Sequence, residues 1–118
     1  MKHQNLQDRT RKFALEVIKF TEKLQRDDTS KILGRQLLRS GTSVGANYRA
    51  ACRSKSNPDF ISKMKNFLEE ADESAFWIEM LLDAGKASPQ AAQPLLAEAD
   101  ELVAIAASSV NTARRNSE

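Results

Sequence analysis

The sequence predicts an all-α fold, an antiparallel up-down-up-down four-helix bundle, from three observations. Apolar residues recur every three or four positions through four segments, which is the spacing of one face of an α-helix. Two of the three breaks between these segments carry a helix-capping residue followed by proline. The 118 residues include only 4 Gly and 3 Pro, too few for the many turns of a β-protein. Short connections favour antiparallel neighbours, which gives the up-down order.

The first two helices are predicted over residues 5–26 and 30–54. The apolar stripe of the first consists of Leu6, Phe13, Val17, Phe20 and Leu24. The stripe of the second consists of Leu33, Leu37, Val44, Tyr48 and Ala51. Four polar residues, 27–30, interrupt the pattern between them. Ser30 or Thr29 is expected to cap the second helix by accepting hydrogen bonds from its first free N–H groups.

The third and fourth helices are predicted over residues 58–84 and 89–113, in a single domain that spans residues 1–118. The apolar stripe of the third consists of Phe60, Met64, Phe67, Ala71, Ile78 and Leu82. The stripe of the fourth consists of Leu95, Ala99, Leu102, Ala106, Val110 and Ala113. The residues from 111 onward are expected to fray.

The ends of these two helices carry local signals. Asn57 and Ser88 are the expected caps, since Pro58 and Pro89 follow them at the first helical position, where a missing N–H group has no cost. Gly85 is expected to end the third helix in the left-handed conformation that glycine adopts readily.

The composition excludes several functional classes. A single cysteine cannot form an internal disulfide, which excludes a disulfide-stabilised secreted scaffold. No apolar run approaches the ~20 residues of a membrane span, and the first seven residues lack a signal-peptide apolar block. The only histidine, His3, lies near a terminus, so the sequence has no His-based triad or His-rich metal cluster. We therefore expect a cytoplasmic protein that is not an enzyme, with no cofactor, no metal and no membrane contact.

Charge is divided unevenly between the two halves of the chain. Residues 1–55 contain 13 basic and 5 acidic residues, whereas residues 56–118 contain 5 and 11. The net charges of the halves are therefore +8 and −6, within a total of +2. This division is expected of a polyanion-binding face or of self-association through complementary faces, and ordinary solvated helix surface is the third interpretation.

The second predicted helix has a basic face opposite its apolar stripe. Its members are Lys31, Arg35, Arg39, Arg49 and Arg53. They fall within an arc of roughly 80° and extend over about 33 Å of helix. Because the planar guanidinium group suits phosphate, this face is a candidate binding site for RNA or DNA. No aromatic residue on the face would stack on bases. The alternatives are a solvated face or pairing with acidic residues of the third helix in a neighbouring subunit.

Small and polar residues lie at the edges of the same stripe. The small residues are Gly34, Gly41, Gly45 and Cys52. Glycine inside a helix costs about 1 kcal/mol relative to alanine, so three of them indicate close approach of another backbone, with local kinking as the alternative. Cys52 is expected to be a small buried packing residue. Ser40 and Asn47 are expected to form hydrogen bonds across helices.

The third predicted helix carries an outward apolar patch. Phe76 and Met80 point away from the apolar stripe, and Trp77 lies at its border. The surrounding acidic residues are Glu69, Asp72, Glu73 and Glu79. Interfaces commonly combine an aromatic and Met-rich centre with a polar rim, so the patch predicts a homo-oligomer that buries these three residues. The alternative is that they cover the end of the bundle.

Three segments resemble one bacterial family. They are Leu37–Arg49, Phe60–Met64 and Glu70–Leu81. Together they are similar to the four-helix-bundle family named for 23S rRNA intervening sequences, whose relatives include the accessory variability determinants of diversity-generating retroelements. The resemblance implies an antiparallel bundle that assembles as a ring-like homopentamer without enzymatic activity. In the retroelement relatives a basic surface engages nucleic acid and a reverse transcriptase, so the resemblance implies these partners as well.

Two positions depart from the family's pattern. Ala50 stands where Glu is often found, two residues after the equivalent of Tyr48, and Glu69 replaces a frequent Lys. The first change makes the second helix more basic, and the other makes the third more acidic. The sequence therefore predicts a non-catalytic homo-oligomer, a pentamer by resemblance, that binds RNA or DNA phosphates through its second helix. The alternative function is a protein-interaction scaffold without direct nucleic-acid binding.

Overall fold

Four α-helices make up nearly all of the computed structural model, which describes residues 2–117. The helices are α1 (Lys2–Glu22), α2 (Asp28–Cys52), α3 (Asn57–Asp83) and α4 (Pro89–Asn116). No strand occurs among the described residues. The predicted all-α four-helix fold is therefore confirmed. Met1 and Glu118 of the predicted domain, and the side chain of His3, lie outside the described part.

Consecutive helices double back on each other. The molecule measures 49 × 21 × 21 Å. The 27-residue α3 and the 28-residue α4 are each about 40 Å long at 1.5 Å per residue, so two helices placed end to end would exceed the molecule's length. The nearest neighbours of the α2 glycines run in the opposite order along the chain: Gly34 contacts Leu24, just after α1, and Gly41 and Gly45 contact Val17 and Thr10 of α1. These dimensions and contacts are those of an up-down-up-down bundle.

The apolar stripes form the core. Phe67 is fully buried, and its ring centroid lies 5.5 Å from that of Tyr48, which joins α3 to α2. The stripe residues that are only partly buried lie near helix ends, and they are Leu6, Leu24, Leu33, Phe60 and Leu82. Ala75 and Leu81 are also buried, although they stand outside the predicted stripe of the third helix.

The start of α2 differs from the prediction, because Asp27 and neither Ser30 nor Thr29 is the cap. The Asp27 carboxylate accepts hydrogen bonds from the Ser30 N–H and hydroxyl groups, both at 2.9 Å. These bonds, together with the weaker effect of Lys86 at 3.3 Å, lower the pKa of Asp27 to about 2. A carboxylate is a stronger acceptor than a hydroxyl, and this leaves Ser30 as a buried donor.

The start of α3 also corrects the prediction. Ser56 is the cap, and its hydroxyl accepts a hydrogen bond from the Asp59 N–H at 3.2 Å. The Asn57 amide, the expected cap, instead donates to the Ala113 carbonyl at 3.0 Å. Asn57 therefore joins the start of α3 to the end of α4. This contact also shows that α4 continues as ordered helix beyond residue 111, where fraying was expected.

Other boundary predictions have mixed outcomes. Ser88 caps α4 as predicted, since its hydroxyl accepts a hydrogen bond from the Ala91 N–H at 3.2 Å. Gly85 follows α3 with φ +72°, which confirms its left-handed conformation. The first helix ends at Glu22, four residues before its predicted end.

Close packing of α1 on α2 explains the glycines of α2. A Cβ atom added at Gly41 would lie 2.8 Å from Val17 Cγ2, and one added at Gly45 would lie 3.5 Å from the Thr10 carbonyl oxygen. The predicted close approach is therefore confirmed in part, because side chains pack tightly on Gly34 and Gly41, whereas a backbone atom is among the nearest neighbours only at Gly45, at an ordinary contact distance. Cys52 does not belong to this packed line, because it is the last residue of α2 and is exposed at the end of the bundle. The prediction that Cys52 is buried was wrong.

Ser40 forms the predicted contact across helices. The Ser74 hydroxyl of α3 donates to the Ser40 hydroxyl of α2 at 3.0 Å, and both side chains are fully buried. Asn47 does not behave as predicted, because its side chain makes no hydrogen bond to a described residue. It is only partly buried, so solvent can satisfy its amide.

Replacing Gly41 with alanine should destabilise the fold, whereas the same change at Gly45 should not. Val17 is buried and β-branched, so it cannot rotate away from a methyl group at Gly41. We expect Gly41→Ala to lower the free energy of unfolding by about 1–3 kcal/mol. Gly45→Ala places its methyl 3.4 Å from Thr10 Oγ1, an ordinary contact, and gains helix propensity. Urea denaturation followed by circular dichroism measures both, and equal effects would contradict the close packing at Gly41.

Candidate nucleic-acid interface

All five cations predicted on the basic face of α2 are exposed. They are Lys31, Arg35, Arg39, Arg49 and Arg53. The first four lie on α2, and Arg53 is the residue that follows the helix. The Arg53 N–H still bonds the Ala50 carbonyl at 3.1 Å, so its side chain continues the line of the helix surface. The structure thus places the whole predicted set on one accessible side of α2.

Arg39 differs from the other four cations because it is already paired. Its guanidinium group contacts the Glu73 carboxylate of α3 and lies 3.8 Å from Glu70 Oε1. This pairing occurs within one chain, whereas the sequence suggested such pairing only between subunits. The other four cations form no ion pair within the described part of the chain. Four cations therefore remain available to an external anion, and we call them the free α2 cations.

The free α2 cations form two separate pairs. Lys31 and Arg35 lie one turn apart near the start of the helix, and Arg49 and Arg53 lie one turn apart at its end. Like charges at this spacing repel each other by a few tenths of a kcal/mol, and a bound anion relieves that repulsion. The gap between Arg35 and Arg49 is about 21 Å, and Arg39 within it is neutralised. The face is therefore two cationic sites and not one continuous ridge.

Further cations lie at the end of the bundle that carries Arg53, and the sequence reasoning missed them. Arg114 and Arg115 are exposed in the last turn of α4. The contact between Asn57 and Ala113 places this turn beside the start of α3, only four residues after Arg53. They were missed because fraying was expected there and because the second half of the chain is acidic overall. The available signal was the preference of cations for helix C-termini.

Glu73 links Arg39 to the apolar patch of α3. Its carboxylate accepts a hydrogen bond from Trp77 Nε1 at 3.2 Å in addition to its contact with Arg39. Burial and the charge of Glu73 raise the pKa of Glu70, against the opposite effect of Arg39. Glu70 Oε1 has no hydrogen-bond partner among the residues that the structure describes. Arg39 therefore offsets the charges of two acidic groups at the contact between α2 and α3, and so contributes to the packing of these two helices.

The apolar patch of α3 faces outward as predicted. Phe76 is 49% exposed and Met80 is 37% exposed, whereas Trp77 is partly buried. The Phe76 and Trp77 rings meet edge to face, with centroids 5.0 Å apart. The acidic neighbours Glu69 and Asp72 are exposed and form no ion pair with a described residue. That these residues form a subunit interface stays a prediction.

The remaining chemistry-bearing residues do not converge on a site. Within residues 2–117 no three His, Cys, Asp or Glu side chains lie close enough together to hold a metal ion. Burial raises the pKa of Tyr48, and a hydrogen bond between its hydroxyl group and Cys52 adds a smaller effect in the same direction. Over the same residues, no helix has both the length and the apolar content that crossing a bilayer requires.

Comparisons with known proteins find similarity over most of the chain. Residues 2–108 match the family model described as 23S rRNA-intervening sequence protein. A solved structure with a similar fold is that of a protein of unknown function from the S23 ribosomal protein family of Bacteroides thetaiotaomicron. The two chains superpose with a TM-score of 0.86 at 29% identity, over 94% of this chain and 99% of that one. The comparison with curated proteins gives no match.

Proposed function

The chain belongs to the 23S rRNA-intervening sequence protein family, and we propose that it is a non-catalytic homo-oligomer that binds RNA or DNA phosphates through α2. The observation that carries this proposal is the set of free α2 cations. Each is exposed, and none has an acidic partner within the described residues. Two pairs of uncompensated cations on one side of a helix attract a polyanion, and arginine can hold phosphate through two parallel hydrogen bonds.

The expected binding mode is contact with the nucleic-acid backbone. No aromatic side chain stands among the free α2 cations, so stacking on bases does not contribute. Phosphate contacts carry no direct sequence information, and binding should therefore tolerate changes of sequence. Two cationic pairs on one chain bind weakly, but repetition in an oligomer raises the effective concentration of each further contact.

The assembly and the partners extend the proposal. We take the homo-oligomer to be the pentamer implied by the family resemblance, with Phe76, Trp77 and Met80 in its interface. Exposure of Phe76 and Met80 supports an interface there, since large apolar side chains on a surface commonly mark contact sites. A reverse transcriptase is a second proposed partner on the strength of the resemblance, and the proposed location is the cytoplasm.

Removing the second cationic pair should weaken binding. The Arg49→Gln/Arg53→Gln variant loses two phosphate contacts, and we expect roughly a tenfold or larger loss of affinity for a fluorescent RNA or DNA duplex. Arg11→Gln/Lys65→Gln is the matched control, because it removes two exposed, unpaired cations from other helices. Fluorescence anisotropy at low salt measures all three proteins.

The outcomes of this titration separate the candidate functions. Equal affinity losses in the two variants would show that only net charge matters, and the site on α2 would be wrong. A wild type that binds neither duplex at low salt would refute nucleic-acid binding and favour the second candidate, a protein-interaction scaffold. The patch of α3 is the observation that favours this second candidate, because its exposed apolar centre suits a protein surface.

A further inference from the structure

A groove runs between α1 and α4, on the side of the bundle opposite the contact between α2 and α3. Its volume is about 660 Å³. Its floor is apolar and consists of Phe13, Phe20, Ala91, Pro94 and Leu95. The groove exists because α1 and α4 pack less closely on each other than the other neighbouring helices do. The free α2 cations and the α3 patch lie outside it.

The α1 side of this groove is basic. Lys12, Lys19 and Lys23 line it; the spacing of seven residues places Lys12 and Lys19 on one face of α1, and Lys23 directly follows the helix. All three are exposed, and none forms an ion pair with a described residue. Glu16 is the one unpaired acidic residue among the groove's lining residues. The free charge along the groove is therefore positive.

The fourth basic residue of the groove is neutralised. The Arg9 guanidinium group of α1 forms ion pairs with the carboxylates of Glu98, at 2.7 Å, and Glu101, at 3.3 Å, both on α4. These ion pairs hold α1 and α4 together beside the groove. They do not reach the three lysines, whose charge is left for another molecule.

The patch of α3 has the opposite character. Phe76 and Met80 form its exposed apolar centre, and Glu69, Asp72 and Asp83 are exposed acidic residues on the same outward side of the helix. None of these three carboxylates forms an ion pair with a described residue. The acidic residues span about 21 Å of helix and the three lysines about 16 Å, so the two charged rows are similar in length.

We propose that the α3 patch of one copy seats in the α1–α4 groove of the next copy. This inference rests on the homo-oligomer of the proposed function and states which surfaces join. Phe76 and Met80 would cover the apolar floor of the groove, while the free carboxylates meet Lys12, Lys19 and Lys23. Each contact buries apolar side chains and compensates charges that have no partner within one chain.

The two surfaces belong to different helices of the chain, so the contact is head to tail. Every copy then keeps one patch and one groove for its two neighbours, and copies add until a ring closes. A two-fold contact between α3 patches would instead pair equal acidic surfaces, which repel each other. Part of the charge division between the halves of the sequence follows in the same way, since three lysines of the first half meet carboxylates of the acidic third helix of a neighbour.

Mixing two blocked variants tests this geometry. The groove variant is Lys12→Glu/Lys19→Glu/Lys23→Glu, and the patch variant is Phe76→Lys/Met80→Lys. We expect each alone to have the single-chain mass of 13.2 kDa in light scattering. Mixed together, they should form a species that contains one chain of each variant, at twice the single-chain mass. The patch of the groove variant then occupies the intact groove of the patch variant.

Other outcomes are also decisive. A groove variant that keeps the mass of the wild type, or a mixture in which both variants stay single chains, would overturn the docking and leave the homo-oligomer standing. A wild type that is itself a single chain would refute the homo-oligomer of the proposed function. Circular dichroism checks that each variant is helical, and Lys19→Glu with Phe76→Lys replaces any pair in which a variant does not fold.

Discussion

Raising the KCl concentration from 50 to 200 mM should weaken the binding of a DNA duplex roughly 150-fold for each chain engaged. The expectation assumes that each of the four free α2 cations neutralises one phosphate and releases one condensed counterion. The logarithm of the binding constant then falls with that of the salt concentration with a slope of about −3.6. Arg39 is left out because Glu73 already compensates its charge.

Anisotropy titrations at several salt concentrations measure this slope for duplex DNA and duplex RNA. A second DNA sequence serves as the control, since backbone contacts should give it the same slope and a similar affinity. Binding that changes by less than threefold over this range would contradict phosphate contact. Affinity that depends strongly on sequence would indicate recognition of base edges and would contradict binding through phosphates alone.

Phe67→Ala should destabilise the fold strongly, whereas Phe76→Ala should act on the assembly. Phe67 is fully buried and packs on Tyr48, so its removal leaves a cavity in the core. We expect a loss of about 3–5 kcal/mol in the free energy of unfolding. Phe76 is 49% exposed, and its truncation within a single chain should cost far less.

Thermal melts and light scattering together separate these two effects. Phe67→Ala should melt at a much lower temperature than the wild type. Phe76→Ala should reduce the mass of the assembly at micromolar concentrations while keeping the helical signal. If Phe76→Ala instead lowers the melting temperature as much as Phe67→Ala does and leaves the mass unchanged, Phe76 is a core-covering residue and not part of an interface.

The elements of the fold could be predicted because their signals are local. Helical periodicity identified the buried stripes, and the pattern of Ser88, Pro89 and Gly85 marked the boundary between α3 and α4. The errors at the helix starts arose where two neighbouring groups compete for one capping position. Asp27 and Ser56 act as caps because their oxygens reach the free N–H groups. The Asn57 amide instead donates a hydrogen bond to the Ala113 carbonyl near the end of α4. That choice depends on a helix far away in sequence.

The candidate site could be predicted only in part, for the same reason. The exposure of the five cations follows from the position of the apolar stripe on α2. The pairing of Arg39 with Glu73 does not, because it depends on how α2 and α3 are aligned along their axes. Arg114 and Arg115 lie beside the start of α3 because the Asn57 amide donates to the Ala113 carbonyl, a contact between residues far apart in sequence. The groove depends on the separation of α1 and α4, which no local pattern contains.

The number of phosphates that α2 contacts is the most direct test of the proposed function. It is measured by comparing the salt dependence of duplex DNA binding for the wild type, Arg49→Gln/Arg53→Gln and Arg11→Gln/Lys65→Gln. We predict that the first variant has a slope smaller in magnitude by about 1.8 for each chain that contacts the duplex, which corresponds to two lost phosphate contacts per chain, and that the second keeps the wild-type slope. Equal slopes for all three proteins, or an equal decrease in both variants, would contradict phosphate binding by Arg49 and Arg53.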